Sequence, residues 1–259
     1  MNISQSIDAL CRQAAEPYGV ASNVHPEDFM FRHIVDRAES KGSSLEEAVS
    51  EYFSSGRECA ARFAQLVHAE LGYSPEHPLA VLEFASGYGR VTRHLPQLFP
   101  NAFIVATDVH EEAARFADER LNIASVVSSA APENLKIPQA FDVIFALSFF
   151  THIPHATFGR WIKSLHDHLK PGGFLLFTTS SRKPWVLAGR DPELIEKHDA
   201  LFINTSEQHD LDPREYGLMF ARPGYVIQQI YAYTQAPVVR YEENFWWGLQ
   251  DLWVVTRPG

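Results

Sequence analysis

The sequence has little cysteine, no excess of positive charge and no long apolar segment. Its two cysteines, Cys11 and Cys59, are too few for a disulfide framework and lack the spacing of metal ligands. The 22 basic residues are outnumbered by 32 acidic ones, and the formal charge of -10 disfavours non-specific binding to nucleic acid or to an acidic membrane. The longest apolar run, Val143–Phe150, has the length of a strand and is too short to span a membrane.

The composition otherwise fits an ordinary folded protein. Of the 259 residues, 46% are hydrophobic and 21% are charged, and this length is enough for an α/β core preceded by a small cap. The first five residues lack the basic and apolar regions of a secretory signal. We therefore expect a cytoplasmic protein with reduced cysteines and no metal site.

Residues 1–77 predict a helical cap, or lid. One helix is predicted over Ser6–Ala15, a second begins near Pro26, and a third begins at a capping box formed by Ser44 and Glu47. We expect this third helix to break at Ser54-Ser55-Gly56 and to resume over 57–71, since glycine disfavours helix interiors. The boundary with residues 78–259 is placed at Pro75–Pro78.

The stretch Leu79–Leu95 predicts a strand, a turn of small residues and a helix. The apolar run 79–82 suits a strand buried on both faces, and small residues let a ligand approach the backbone closely. The acid at the strand end repels phosphate and attracts an ammonium group, so we expect a ligand with an amino acid portion. A tight turn without a ligand is the alternative. The residues concerned are Glu83, Ala85, Ser86, Gly87 and Gly89.

A second acid, Asp108, ends another predicted strand, Asn101–Asp108. It follows Glu83 by 25 residues, which is close to the interval of roughly 20 that places an acid on a ribose in Rossmann-like units. A carboxylate there can accept hydrogen bonds from vicinal hydroxyls. The alternative is that Asp108 caps the helix that begins near His110.

Three motifs resemble the class I S-adenosylmethionine (SAM)-dependent methyltransferases. The run 83–89 is similar to their first motif, acidic-x-Gly-x-Gly-x-Gly, with Ala85 in place of the first glycine; Phe141–Ile153 resembles their fourth-strand motif, and Leu169–Thr179 their Leu-Lys-Pro-Gly-Gly turn and fifth strand. The resemblance implies an α/β, Rossmann-like fold: a seven-stranded, mostly parallel sheet with helices on both faces. The last two strands, expected at Gly224–Ile230 and Gln250–Thr256, would be antiparallel.

The resemblance also implies a SAM site, with S-adenosylhomocysteine (SAH) as the product. Val109 would pack on the adenine, and Ser129 and Ala130 stand where the family often has an aspartate, so the adenine contact there would come from backbone or a hydroxyl. The fourth strand would end at the methyl donor, and the break in the cap would lie near the amino acid end. The implied cofactor-binding residues are Glu83, Ala85, Ser86, Gly87, Gly89, Asp108, Val109, Ser129, Ala130, Leu147, Ser148, Tyr52 and Gly56. Alternatively, the cap helices only cover one end of the sheet.

No catalytic residue is assigned from the sequence. We expect His152 to make a structural hydrogen bond rather than to act as a base, and His198 and His209, which lack zinc-ligand spacing, to be solvated. An insertion at about 180–222 is expected to select the acceptor, because long polar insertions are often functional loops. The aromatic side chains at Tyr241, Phe245, Trp246 and Trp247 have three open roles: an acceptor pocket, core packing or a homodimer contact.

The sequence thus predicts SAM-dependent methyl transfer to a small-molecule acceptor such as a sugar, a lipid or a secondary metabolite, and no nucleic acid partner. One alternative is an NAD-dependent oxidoreductase, which shares the acid after the second strand. Glu83 and the glycine spacing, which does not match Gly-x-Gly-x-x-Gly, count against it. The other alternative is a non-catalytic scaffold of the same fold that binds a nucleoside or nothing.

Overall fold

The computed structural model describes residues 3–206, 208 and 210–259. The chain divides into two compact units, Met1–Val127 and Ser128–Gly259. Three helices begin the first unit: α1 (Ile3–Ala15), α2 (Phe29–Ser40) and α3 (Leu45–Gln65). They pack around a small apolar core of their own, which includes the fully buried side chains of Tyr52 and Phe53.

The beginnings of α2 and α3 depend on side-chain caps. The predicted capping box is confirmed at α3, where Glu47 N–H donates to Ser44 Oγ at 3.2 Å and Ser44 N–H donates to Glu47 Oε2 at 2.7 Å. The expected start of α2 at Pro26 is wrong. Asp28 caps this helix by accepting a hydrogen bond from Phe31 N–H at 3.0 Å, because a carboxylate satisfies amide groups that have no partner within the first turn.

The predicted break in the third cap helix is also wrong. Helix α3 runs without interruption through Gly56. A Cβ at Gly56 would lie 2.2 Å from the backbone oxygen of Arg90, so this glycine permits close packing and does not end the helix. After α3 the chain forms one π-helical turn, Leu66–Glu70, and turns away at Gly72 with φ +78°.

The rest of the first unit alternates strands and helices. Strand β1 (Ala80–Phe84) leads through the turn to the short helix α4 (Leu95–Leu98), and β2 (Phe103–Asp108), α5 (Glu111–Leu121) and β3 (Ala124–Val127) follow. Strand β1 pairs in parallel with β2, and β2 pairs in parallel with β3. The carboxyl ends of β1 and β2 therefore lie side by side, as the positions of the two acids predict.

The second unit contains further strands and helices and a small sheet of its own. Its first part contains β4 (Phe141–Ala146), α6 (His155–Asp167) and β5 (Leu169–Ser180), with β4 and β5 parallel. Two short helices and a separate antiparallel pair of strands occupy residues 180–222. These elements are α7 (Arg182–Leu187), α8 (Pro192–Lys197), β6 (Ala200–Ile203) and β7 (Leu218–Ala221).

The C-terminal part differs from the sequence expectation in one element. The segment Gly224–Ile230, predicted as a strand, lies in helix α9 (Pro223–Thr234), which starts with proline at its first position. The final strands are β8 (Val238–Trp246) and β9 (Gln250–Thr256). Strand β9 is antiparallel to both β5 and β8, so the expected antiparallel pair is present, although its first member comes later in the chain.

The seven-stranded sheet has the order β3-β2-β1-β4-β5-β9-β8. The predicted fold class is therefore confirmed: a seven-stranded, mostly parallel, Rossmann-like sheet with helices and with N-terminal helices before it. Within the described ranges, no helix has the length and apolarity needed to cross a membrane.

Candidate cofactor-binding site

The turn after β1 uses an unusual backbone conformation at three positions. Ala85, Gly87 and Gly89 have φ of +57°, +56° and +78°, in the left-handed region that glycine adopts without penalty. At Gly89 a Cβ would also meet Leu121 Cδ1 at 2.3 Å, whereas nothing lies within 4 Å of a Cβ at Gly87. Ala85, which stands where the motif has its first glycine, adopts this left-handed conformation at a cost of about 1–2 kcal/mol.

Asp108 is hydrogen bonded directly to this turn. Gly87 N–H donates to Asp108 Oδ2 at 2.8 Å, and Ser86 N–H donates to Thr107 O at 2.9 Å. The other carboxylate oxygen, Oδ1, accepts from His110 N–H at 3.0 Å and lies 2.9 Å from His110 Nδ1. Asp108 does not cap the following helix, because the N-cap of α5 is His110. The structure thus brings the second acid and the glycine turn together.

Glu83 is a buried acid at the start of the turn. It is 4% exposed, and its Oε2 has no hydrogen-bond partner among the described residues. Burial raises the pKa of Glu83 from 4.5 to about 7, and Thr92 and Arg90 oppose this rise. A buried carboxylate is unfavourable until a cation or a donor pairs with it. The site can therefore stabilise an ammonium group placed beside Glu83.

The cap residues predicted for the site lie next to the turn but inside the packed interior. Tyr52 is fully buried; its hydroxyl donates to Asp28 Oδ2 at 2.6 Å and accepts from Arg93 Nη2 at 3.3 Å. Gly56 packs against the backbone of Arg90, one residue after the turn. Val109, beside Asp108, is 39% exposed.

The second unit contains the other predicted residues. Leu147 and Ser148 follow β4 and are half-buried. Ser148 has φ +61°, its N–H donates to Thr178 Oγ1 at 2.8 Å, and its hydroxyl exchanges hydrogen bonds with Gln250 at 2.9 and 3.1 Å. Ser129 Oγ accepts from Ala131 N–H at 3.2 Å, and Ala130 is exposed.

Two residues around these positions were not expected from the sequence. Gln250 contacts Ser148 across 102 residues of chain, and Arg93 contacts Ala21 across 72. Neither residue belongs to a local motif, and no spacing signal indicates contacts of such separation.

The histidines have structural or surface positions. His152 Nδ1 lies 2.7 Å from Gly217 O, and its ring stacks on Tyr216 at 4.5 Å, which is a structural contact of the expected kind. His198 is exposed, and His209 lies outside the described residues. No group of three or more His, Cys, Asp or Glu in the described part of the chain could hold a metal ion.

The aromatic segment 241–247 has mixed environments. Trp246 is 1% exposed and packs on Phe145 with ring centroids 5.5 Å apart, so it is a core residue. Tyr241 packs on Trp253 at 4.3 Å, and Phe245 lies beside the Arg240 guanidinium at 5.4 Å. Trp247 is 45% exposed and Tyr241 is 38% exposed, so an acceptor or homodimer contact stays open to these two side chains.

Comparison with known proteins gives both a sequence match and a fold match. Residues 82–175 match a family model described as a methyltransferase domain. The malonyl-[acyl-carrier protein] O-methyltransferase of Bacillus anthracis is 35% identical over 108 residues, covering 41% of this chain and 39% of that protein. The protein of the same name from Halalkalibacterium halodurans is 28% identical over 157 residues, covering 58% and 56%. The chain thus spans about half the length, or less, of these curated relatives.

A solved structure shares the fold. Magnesium protoporphyrin IX methyltransferase from Synechocystis PCC 6803, determined with bound SAH, matches with a TM-score of 0.53 at 13% identity, covering 87% of this chain and 99% of that chain. The fold is that of SAM-dependent methyltransferases, and the match of residues 82–175 to a methyltransferase domain agrees with the predicted class and its cofactor, SAM. Residues 82–175 are thus the part of the chain that is similar to a methyltransferase domain.

Proposed function

We propose that this chain binds SAM at the turn after β1 and transfers the methyl group of SAM to a small-molecule acceptor. The observation that carries the proposal is the pair of buried acids on neighbouring strands: Glu83, with an oxygen that lacks a partner within the described residues, and Asp108, which is bonded to the glycine turn. An ammonium group and a sugar diol suit these two carboxylates, and SAM carries both. When bound, SAM supplies an electrophilic methyl group on a sulfonium sulfur.

We propose that each of the predicted residues of the first unit has its own role in binding SAM. Glu83 would hold the ammonium group, and Asp108 would accept hydrogen bonds from the ribose hydroxyls. The left-handed turn over Ala85, Ser86, Gly87 and Gly89 would let the ligand approach the backbone. Val109 would cover one face of the adenine. Tyr52 and Gly56 would support the turn from the protein interior, because the Tyr52 hydroxyl is already hydrogen bonded to Asp28 and Arg93.

Four residues of the second unit are proposed as further cofactor contacts. Ser129 and Ala130 would meet the adenine edge through backbone or hydroxyl groups. Leu147 and Ser148 follow the fourth strand, and Thr178 and Gln250 fix Ser148 in its left-handed conformation. Such fixed geometry suits methyl transfer, because alignment of the reactants and exclusion of water account for much of the rate.

For the acceptor, we propose an oxygen atom of a small molecule, and a carboxylate is the first to test. The formal charge of -10 supports a small molecule over nucleic acid, and the two relatives are named malonyl-[acyl-carrier protein] O-methyltransferases. A carboxyl group with a pKa of about 4 is already deprotonated at neutral pH, so its methylation needs no general base. A hydroxyl acceptor would need one.

Calorimetric titration with SAM, SAH and NAD tests the proposal. We expect SAM and SAH to bind, and radiolabelled SAM then to methylate members of a panel of carboxylates, phenols and amines. Binding of NAD without SAM would indicate the oxidoreductase instead. The antiparallel strand β9 argues against that outcome, because dinucleotide-binding sheets with the order 3-2-1-4-5-6 are parallel. A protein that binds SAH but methylates no acceptor would be a nucleoside-binding scaffold.

A further inference from the structure

Arg93 is a buried arginine whose hydrogen bonds join two separate segments of the first unit. It lies just after the turn and is 4% exposed. A guanidinium has five N–H donors, and five acceptors surround this one. They are Gly89 O at 2.9 Å from Nε, Ala21 O and Asn23 O each at 2.9 Å from Nη1, and Tyr52 Oη at 3.3 Å and Tyr88 O at 3.4 Å from Nη2.

These acceptors belong to both sides of a junction. Tyr88 and Gly89 are part of the turn after β1. Ala21 and Asn23 are part of residues 19–28, the segment between the first helical region and α2, which we call the strap. Four of the five acceptors are backbone carbonyl oxygens, two from the turn and two from the strap, and Tyr52 supplies its hydroxyl from α3. One side chain therefore holds the turn and the strap in a single arrangement.

The charge of Arg93 is compensated through a short relay. Its guanidinium carbon lies 5.3 Å from the ring centroid of Tyr52 and 5.2 Å from that of Phe53, and the Tyr52 hydroxyl donates to Asp28 at 2.6 Å. Asp28 is 2% exposed and lies at the end of the strap. A buried charge is tolerated when it is paired and fully hydrogen bonded, so these groups form one interdependent network.

A second contact joins the strap to the turn independently of Arg93. The imidazole ring of His25 stacks on the ring of Tyr88, with centroids 4.4 Å apart and planes at 10°. Glu27 N–H donates to His25 Nδ1 at 3.1 Å, which orients the imidazole. The strap therefore contacts the turn through its backbone and through a side chain.

We infer that Arg93 is a positioning residue for SAM binding: it couples the strap to the glycine turn, so that the order of the strap and the affinity for SAM depend on each other. This inference rests on the proposed function. The Arg93 guanidinium donates to the carbonyl groups of Tyr88 and Gly89 in the turn and also to two carbonyl groups of the strap. When the turn adopts its ligand-binding conformation, an ordered strap is therefore favoured. By linkage, an ordered strap favours the ligand equally.

The experiment compares Arg93→Lys with the matched control Arg37→Lys. Arg37 pairs with Glu51 and so joins α2 to α3, away from the turn. Lysine keeps the charge but cannot bond to five acceptors in a plane. We expect Arg93→Lys to weaken SAH binding by about tenfold or more, the scale of losing hydrogen bonds to a charged group, and Arg37→Lys to leave it unchanged. Titrations are run well below the melting temperature of each variant.

Hydrogen exchange measures whether SAH protects the amides of the strap together with those of the turn. A merely structural role of Arg93 would not change this joint protection. In the wild type, SAH is expected to slow exchange of the amides of the strap and of the turn together. In Arg93→Lys at saturating SAH, the turn should still be protected while the strap is not. Unchanged SAH affinity in Arg93→Lys, even with a lower melting temperature, would overturn the inference.

A second variant keeps the test open if Arg93→Lys does not fold. Tyr52→Phe removes one acceptor of the guanidinium and the link to Asp28, and we expect it to weaken SAH binding by about fivefold and to speed exchange of the strap. Normal affinity and normal exchange in Tyr52→Phe would count against the inference. A wild-type protein that binds neither SAM nor SAH would instead refute the proposed function, and the two failures are thus distinguishable.

Discussion

Asp108 and Gly87 are joined by a hydrogen bond of 2.8 Å from the Gly87 N–H to Asp108 Oδ2. The acid proposed for the ribose therefore also holds the turn proposed for the methionine part of SAM. Any substitution of Asp108 changes both functions unless the new side chain can still accept this hydrogen bond.

Two substitutions of Asp108 separate these functions. Asp108→Ala should weaken SAM binding by about 1.5–3 kcal/mol, since it removes hydrogen bonds to a charged group. Asp108→Asn retains an acceptor for the Gly87 N–H and should lose less. Titration calorimetry checks both values, and wild-type affinity in Asp108→Ala would contradict the ribose assignment.

Glu83→Gln should change the pH dependence of stability in the absence of SAM. The pKa of Glu83 is raised to about 7 by burial, so the folded wild type retains a proton that the unfolded chain releases above pH 4.5. The contribution of Glu83 to wild-type stability is therefore greatest below that pH and falls as pH rises towards 7, by about 3 kcal/mol in total. Glutamine does not titrate, so the variant should gain this amount relative to wild type between about pH 5 and about pH 8.

Urea unfolding of the variant and of the wild type at about pH 5 and at about pH 8 measures this difference in stability. Burial lowers the pKa of His94 to about 3, but His94 is present in both proteins and cancels in the comparison. In the same variant, SAM should bind at least about tenfold more weakly, because the ammonium group loses its charged partner. A difference in stability that does not vary with pH would show that Glu83 has an ordinary pKa.

Gly56→Ala should destabilise the protein, contrary to the usual effect of alanine in a helix. The new Cβ would lie 2.2 Å from the backbone oxygen of Arg90, and such overpacking costs about 1–3 kcal/mol. Gly224→Ala is the matched control, because Gly224 lies in the first turn of α9 with nothing within 4 Å of the added Cβ. The control should be neutral or stabilised by up to about 1 kcal/mol. Equal melting temperatures for the two variants would contradict the close contact at Gly56.

Ala85→Gly should stabilise the protein slightly and leave SAM binding unchanged. The left-handed φ of +57° at Ala85 costs about 1–2 kcal/mol, and glycine removes this cost. The greater conformational freedom of glycine in the unfolded chain destabilises the folded state by about 0.4–1 kcal/mol and so offsets part of the gain. We expect a net increase of about 0.5–1 kcal/mol in the free energy of unfolding. The exposed Ala232 in α9 provides the comparison, where the same substitution should cost about 1 kcal/mol. If glycine lowered the free energy of unfolding at Ala85 as well as at Ala232, strain at Ala85 would be ruled out.

The parallel core was predictable from the sequence because its signals are local. Apolar runs ending in an acid define β1 and β2, and the capping box of Ser44 and Glu47 defines the start of α3. Strand and helix are harder to distinguish in the short apolar run of α9, where periodicity alone does not decide between them. Pro223 at the first helical position was the available signal.

The remaining differences come from contacts distant in sequence. Gly56 suggests a helix break until its neighbour, the backbone of Arg90, is known. The hydrogen bonds of Arg93 to the strap span 70 and 72 residues. Tertiary packing decides such positions, and neither propensity nor spacing reports it.

The contacts of His152 limit how the region after β5 can vary. Gly217 N–H donates to His152 O, Met219 N–H donates to Thr151 O, and His152 Nδ1 contacts Gly217 O. These hydrogen bonds connect the segment following β4 to the small sheet of β6 and β7. Exchanging 180–222 for the corresponding region of another enzyme would leave these main-chain groups without partners. A chimera built to test the expected role of 180–222 in acceptor selection must therefore carry Thr151 and His152 along with the transplanted region.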